Sequence, residues 1–307
     1  RIARHYAETC GVEVDPARVI VTAGSSGAFI LAFLALFDAG DAVVIGDPGY
    51  PSYRNTLSAL GVEARRVATT AATRFQPGPE DLGDAAGMLV ASPANPTGSV
   101  LSRAALGEIA AACDRTGAWL ISDEIYHGLT YEGRATSALE VSERAVVINS
   151  FSKYWSMTGW RVGWMVAPEP LVRTVERLAQ NLFICPSHVG QVAALAAMDA
   201  GGELEAMRAV YAANRALLAE ALPAMGLGGF APPDGAFYFW IDVSRFTDDS
   251  RAFCRRMLEE AGVAATPGLD FDPDRGGSFI RLSYAGPTEA MEEGVRRLSA
   301  WLDGAFG

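Results

Sequence analysis

The chain is poor in the residues that build metal centres and covalent staples. Its four cysteines (Cys10, Cys113, Cys185 and Cys254) are scattered, with no CxxC spacing. That excludes a disulfide framework or a zinc ribbon and points to reduced thiols in a cytoplasmic protein. The three histidines (His5, His127 and His188) form no cluster, so no metal site is expected. Charged residues make up only 20% of the chain, and the net charge is −11. No Lys/Arg-rich run interrupts that acidity, which argues against a nucleic-acid partner. The longest apolar run, residues 28–37, is too short to span a bilayer, and no signal peptide is visible. No membrane partner is expected.

Half of the 307 residues are hydrophobic, enough for two domains with a sizeable core. The sequence opens at Arg1, and residues 2–6 already read as mid-helix, so a portion ahead of Arg1 is expected to be missing. Short apolar runs then alternate with helical stretches. Residues 18–22, 41–45, 88–91, 118–122, 145–150 and 163–167 read as buried strands. The alternation predicts an α/β fold with a mostly parallel sheet covered on both faces. From Glu169 the texture changes to long helices (170–182, 190–200, 207–224). Two strands (236–241, 278–283) and two amphipathic helices (249–260, 289–302) complete a smaller α+β unit. The division expected is 1–180 and 181–307.

Polar candidates cluster where strands end, the place open α/β sheets put ligands. Ala23-Gly24-Ser25-Ser26-Gly27 opens an apolar helix, and free N–H groups there suit an anion. Asp47-Pro48-Gly49-Tyr50-Pro51-Ser52-Tyr53 places aromatics at a strand end, where Tyr50 could stack on a flat ring or merely cover the sheet edge. Asn95 lies in the turn Ser92-Pro93-Ala94-Asn95-Pro96-Thr97-Gly98. Asp123 ends a buried strand and needs a cation or a strong donor. Lys153 follows the strand ending at Ser150, and Arg161 follows eight positions later. A desolvated amine beside a cation has a depressed pKa and can form an imine, while an arginine fork binds phosphate. Together they suggest pyridoxal phosphate.

The ordered set Asn95-Pro96-Thr97-Gly98, Asp123-Glu124-Ile125-Tyr126, Ser150-Phe151-Ser152-Lys153 and Gly159-Trp160-Arg161-Val162-Gly163 resembles the class I/II aminotransferases, of pyridoxal-phosphate fold type I. The resemblance covers nearly the whole chain. It implies a seven-stranded, mostly parallel large domain and a smaller α+β C-terminal domain. It implies that Lys153 bonds the cofactor and shuttles the proton, and that Asp123 pairs with the ring nitrogen. Tyr126 and Asn95 would bond the phenolic oxygen, and Tyr50 would stack on the ring. Ser25, Ser26, Ser150 and Arg161 would hold the phosphate. Arg281, with Asn95, would bind the substrate carboxylate.

The activity implied is transfer of an amino group from an α-amino acid to a 2-oxo acid, in a homodimer. The family's segment ahead of the Arg1 equivalent, which covers substrate and supplies a tyrosine to the partner's phosphate, has no match here. No arginine stands near Phe183-Ile184-Cys185, where the aspartate-specific branch has one, so a neutral or aromatic donor is expected. A carbon–sulfur β-lyase or decarboxylase on the same scaffold remains open. So does a pyridoxal-phosphate-binding domain of a transcription regulator.

Overall fold

Each apolar run becomes a strand, and the helices between them close over both faces. The computed structural model describes residues 1–306. The first unit comprises α1 (Ile2–Cys10), β1 (Val19–Thr22), α2 (Gly24–Leu36), β2 (Ala42–Asp47), α3 (Pro51–Ala59) and β3 (Glu63–Ala68). It continues through β4 (Gly87–Ala91), α4 (Arg103–Thr116), β5 (Trp119–Asp123), β6 (Val146–Ser150), β7 (Gly163–Val166) and α5 (Glu169–Leu182).

Among the described residues the strands form a seven-stranded sheet, ordered β1-β7-β6-β5-β4-β2-β3. β7 runs antiparallel to both its neighbours, and the remaining pairs are parallel. The expected mostly parallel seven-stranded α/β sheet is what forms. Successive side chains leave opposite faces, so Met88 and Val90 join the core shared with α1 and α4. Leu89 between them joins the core shared with α2, α3 and α5.

β3 carries almost no apolar signal, and the sequence reading passed over it. It is an edge strand, and its charges are used there. Arg65 meets Asp84 at 2.5 Å, and Arg66 bridges Asp47 at 2.8 Å and Asp274 at 2.9 Å.

The rest of the chain is α6 (His188–Ala197), α7 (Gly201–Ala224), β8 (Tyr238–Asp242), α8 (Ser250–Arg256), β9 (Thr266–Pro267), β10 (Phe279–Ser283) and α9 (Thr288–Phe306). The strands make a three-stranded antiparallel sheet, β8-β10-β9, with Trp240 opposite Arg281. Phe239, Ile241, Ile280, Tyr284, Leu298 and Trp301 build a separate core under it. Ala194, Met198 and Leu204, from α6 to the start of α7, pack with the first unit's core although they follow residue 180. The helix expected over 249–260 leaves α geometry at Met257 and becomes a π turn through Ala261, ending on a left-handed Gly262. No helix among the described residues is long and apolar enough to cross a membrane.

The two units meet at the turn carrying Asn95. The amides of Asp234 and Gly235 both donate to the carbonyl of Gly98, at 3.0 and 2.9 Å. A side chain on Gly235 would lie 2.6 Å from the Pro93 ring, so only glycine allows this approach. The contact delivers β8 to the C-terminal ends of β4 and β5.

Candidate active site

A cavity of about 340 Å³ opens at those strand ends, in the range of small-molecule sites. At one end is the N-terminus of α2. Its N-cap residue, Ala23, offers no side-chain acceptor, so the first-turn amides are left for an anion. Arg161 lies against this turn in a left-handed conformation (φ 53°), its Nη1 donating to the Thr158 carbonyl at 3.1 Å. Gly24, itself left-handed, makes the approach possible. A Cβ there would lie 2.5 Å from Nη2 of Arg161. Ser25, Ser26, Ser152 and Thr158 also line this end.

Asp123 stands at the other end, only 3% exposed. Its Oδ2 accepts from the Tyr53 hydroxyl and its Oδ1 from the Ile125 amide at 3.1 Å. These donors are a phenol and an amide rather than a cation. Burial therefore raises the carboxyl to about 6, against the lowering effect of the donors. A cationic partner entering the cavity would reverse that shift.

Lys153 reaches between the two ends. Its Nζ lies 5.8 Å from the Tyr126 ring centroid and 5.9 Å from that of Phe237. Burial, then the charge of Arg281, lower its pKa, with Arg161 adding to the effect and Asp123 opposing it. Lys153 is also the sole lysine of the 307 residues. That compositional signal is present in the sequence alone.

The third wall pairs the two units. The Tyr126 and Tyr238 hydroxyls are 2.9 Å apart, both residues buried. The Arg281 guanidinium lies 4.2 Å from the Tyr238 ring centroid and 4.7 Å from that of Phe271. Its Nη1 donates to Asn95 Oδ1 at 2.9 Å and its Nη2 to Thr266 at 3.2 Å. Because Asn95 accepts through Oδ1, its NH₂ remains a donor toward the cavity. Tyr50, 41% exposed, also lines the cavity.

The structure therefore brings Ser25, Ser26, Tyr50, Asn95, Asp123, Tyr126, Lys153, Arg161 and Arg281 to one cavity. Ser150 is not among the lining residues. Its fully buried hydroxyl donates to Ser152 at 2.8 Å, and Ser152 is the one that faces the cavity. Nor does Phe183-Ile184-Cys185 line it; Ile184 is 82% exposed. The apolar lining comes from Phe29, Ala91 and Ile125 instead. Tyr53 and Tyr238 were missed. Tyr53 lies one helical turn beyond Tyr50, a spacing that could have flagged it. Nothing in sequence marks Tyr238, whose place depends on the contact between units.

Residues 1–298 match the family model described as "Aminotransferase class I and II". The chain is 50% identical over 309 residues to a Mycobacterium tuberculosis protein named "Valine--pyruvate aminotransferase", covering 98% of this chain and 80% of that one. It is 35% identical to an "Aspartate aminotransferase" of Thermotoga maritima, with the same coverage. A crystal structure of an aminotransferase from Mycobacterium tuberculosis superposes with a TM-score of 0.96 at 50% identity, covering 99% of this chain and 80% of that one. The chain belongs to the class I and II aminotransferases, a family generally dependent on pyridoxal phosphate. It is an enzyme that moves an amino group from an α-amino acid to a 2-oxo acid.

Proposed function

We propose that this cavity holds pyridoxal 5′-phosphate and that the preferred amino donor is a neutral amino acid, aliphatic or aromatic. One observation carries the cofactor reading. The chain's single lysine, a buried acid bonded by no cation and an uncapped helix N-terminus beside an arginine share one cavity of suitable size. Each end fits the group: an anion cradle at α2, and at Asp123 a place for a protonated ring nitrogen.

When bound, pyridoxal phosphate supplies an electron sink for the substrate's α-carbon. The protein supplies binding, orientation and proton movement. The α2 amides, Ser25, Ser26, Ser152, Thr158 and Arg161 take the phosphate, with Ser150 fixing Ser152 from behind. Asp123 holds the proton on the ring nitrogen. Tyr126 and Asn95 donate to the phenolic oxygen, and Tyr50 covers the ring face. Arg281 orients the substrate carboxylate as a bidentate fork. Nζ of Lys153, its pKa lowered chiefly by burial, would take the α-proton and carry it between donor and cofactor.

The neutral-donor reading rests on the cavity lining, whose cations Lys153, Arg161 and Arg281 are all assigned to the cofactor or the α-carboxylate, and on the 50%-identical relative named for valine and pyruvate. A second carboxylate would have to be buried against that lining unpaired, which costs several kcal/mol, order of magnitude only. We also propose a cytoplasmic homodimer. Trp160, Leu182, Ile184, Val189, Val192 and Leu195 are all about half exposed or more, and they come from the turn at Arg161, the end of α5 and α6. Exposed apolar groupings of this kind mark protein interfaces.

Two measurements test the reading. Borohydride treatment of protein loaded with pyridoxal phosphate should attach the cofactor at Lys153, and no other lysine can compete. Absence of an adduct refutes the cofactor site. Valine, alanine and phenylalanine should each outrun aspartate as donors to pyruvate; aspartate winning by a wide margin refutes the donor class.

A further inference from the structure

Behind Asp123 lies a buried acid that the amino-transfer chemistry does not use. Glu124 is fully buried, and its two oxygens have unlike surroundings. Oε1 accepts three hydrogen bonds, from the hydroxyls of Ser122 and Ser137, each at 3.1 Å, and from the Ala138 amide at 2.7 Å. Oε2 has no hydrogen-bond donor and stands 3.4 Å from Nδ1 of His127, whose side chain is 11% exposed.

The other ring nitrogen settles the tautomer of His127. Nε2 lies 3.0 Å from the carbonyl oxygen of Ser92. A carbonyl only accepts, so Nε2 carries a proton. In a neutral ring Nδ1 then turns a lone pair toward Oε2. A lone pair facing a buried carboxylate oxygen is repulsive, and a proton placed between them removes the repulsion.

We propose that Glu124 and His127 hold one proton between them, with Glu124 the protonated acid whose Oε2 faces the bare Nδ1 of a neutral His127, and that the pair positions the active site. The asymmetry of the carboxyl supports this assignment. A carboxylic acid has one oxygen that only accepts, matching Oε1, and one that donates, matching Oε2. Burial acts in the same direction on both groups, pushing Glu124 up to about 7 and His127 down to about 4. The other titratable groups nearby are His5, Tyr6 and Cys10 of α1, the adjacent Asp123, and Glu140 with Arg134. Glu140 is committed to Arg103 and Arg134 at 2.5 Å each.

The pair joins the end of β5 to Ser92, which opens the turn bearing Asn95. It also governs the charge beside Asp123, because an ionised Glu124 raises the Asp123 pKa. With Glu124 neutral, Asp123 ionises more readily and can meet a cationic ring nitrogen. This last step rests on the proposed cofactor; the shared proton does not.

The first test needs no cofactor. Nitrogen-15 NMR on histidine-labelled protein has only three rings to resolve, and loss of signals in His127→Asn identifies His127. Between about pH 5 and 6.5, Nδ1 should be unprotonated and Nε2 protonated. An imidazolium, or a proton on Nδ1 with Nε2 bare, overturns the proposal. The second test is rescue. Glu124→Ala should weaken pyridoxal-phosphate binding roughly tenfold, and Glu124→Gln, which keeps an acceptor and a donor, should restore it to within about threefold. A Gln variant as weak as the Ala variant overturns the positioning role. If the unmutated protein fails to bind pyridoxal phosphate, the proposed function falls, and the NMR result still decides the His127 tautomer that the shared proton requires.

Discussion

The hydroxyl of Tyr53 donates to Oδ2 of Asp123, so a residue of α3 holds the carboxylate that ends β5. The bond stabilises the charged form of an acid that burial otherwise discourages. Tyr53→Phe should raise the Asp123 pKa and weaken pyridoxal-phosphate affinity. A hydrogen bond to a charged group contributes about 1.5–3 kcal/mol, or roughly 10–100-fold in binding. Titration of the cofactor against both proteins reads this directly. Equal affinities would mean that Tyr53 is only a packing residue.

Lys153 makes the cofactor-free protein sensitive to alkaline pH in a defined direction. Its folded pKa is below the ordinary lysine value of 10.5, chiefly through burial. Below the folded value both states are protonated, and the folded state carries the whole penalty of a desolvated ammonium. Between the folded value and 10.5 the unfolded chain holds a proton that the folded chain has released, so stability rises with pH. Lys153→Met removes the penalty. The variant should be the more stable of the two at neutral pH, and its advantage should shrink as pH rises through that window. Urea midpoints at a series of pH values measure the difference; a gap that does not change with pH contradicts the assignment.

Arg281 lies between the Tyr238 and Phe271 rings, with Asn95 and Thr266 fixing its two outer nitrogens. The α-carboxylate it would bind is common to all amino acids. Arg281→Ala should therefore lower kcat/KM for every donor by a similar factor, about 2–5 kcal/mol or roughly 30–4,000-fold. Arg281→Lys should recover little, since an ammonium has no planar fork. Selective loss of one donor would place Arg281 in the side-chain pocket instead.

Val192 and Leu195 are each 55% exposed on α6, within the proposed homodimer face. Glutamate at both positions should dissociate the dimer, because a standard interface buries about 800 Å² per partner around an apolar centre. Light scattering should report a dimer for the unmutated chain and a monomer for the double variant. A monomer in both cases excludes this interface.

The sequence by itself determined the buried strands of the large sheet, the order of the motifs and hence the family. Buried parallel strands must be continuous apolar runs, and strand C-termini must carry the polar residues, so both features are local. Lys153, Asp123, Asn95 and Arg161 were legible for that reason. β3 was not, because an edge strand is specified by its neighbours and its ion pairs rather than by apolar periodicity. Only the tertiary structure decided that Ser152 rather than Ser150 faces the cavity. The two serines lie on one short segment, and the choice turns on the Ser150 hydroxyl facing the Val162 carbonyl of the neighbouring chain segment, 3.2 Å away. Only the tertiary structure brought Tyr238 to Tyr126 and Arg281 to Asn95, pairs separated by 112 and 186 residues. Those contacts depend on how the two units meet across Gly98 and Gly235, where the absence of a side chain sets the distance and no local pattern records the partner.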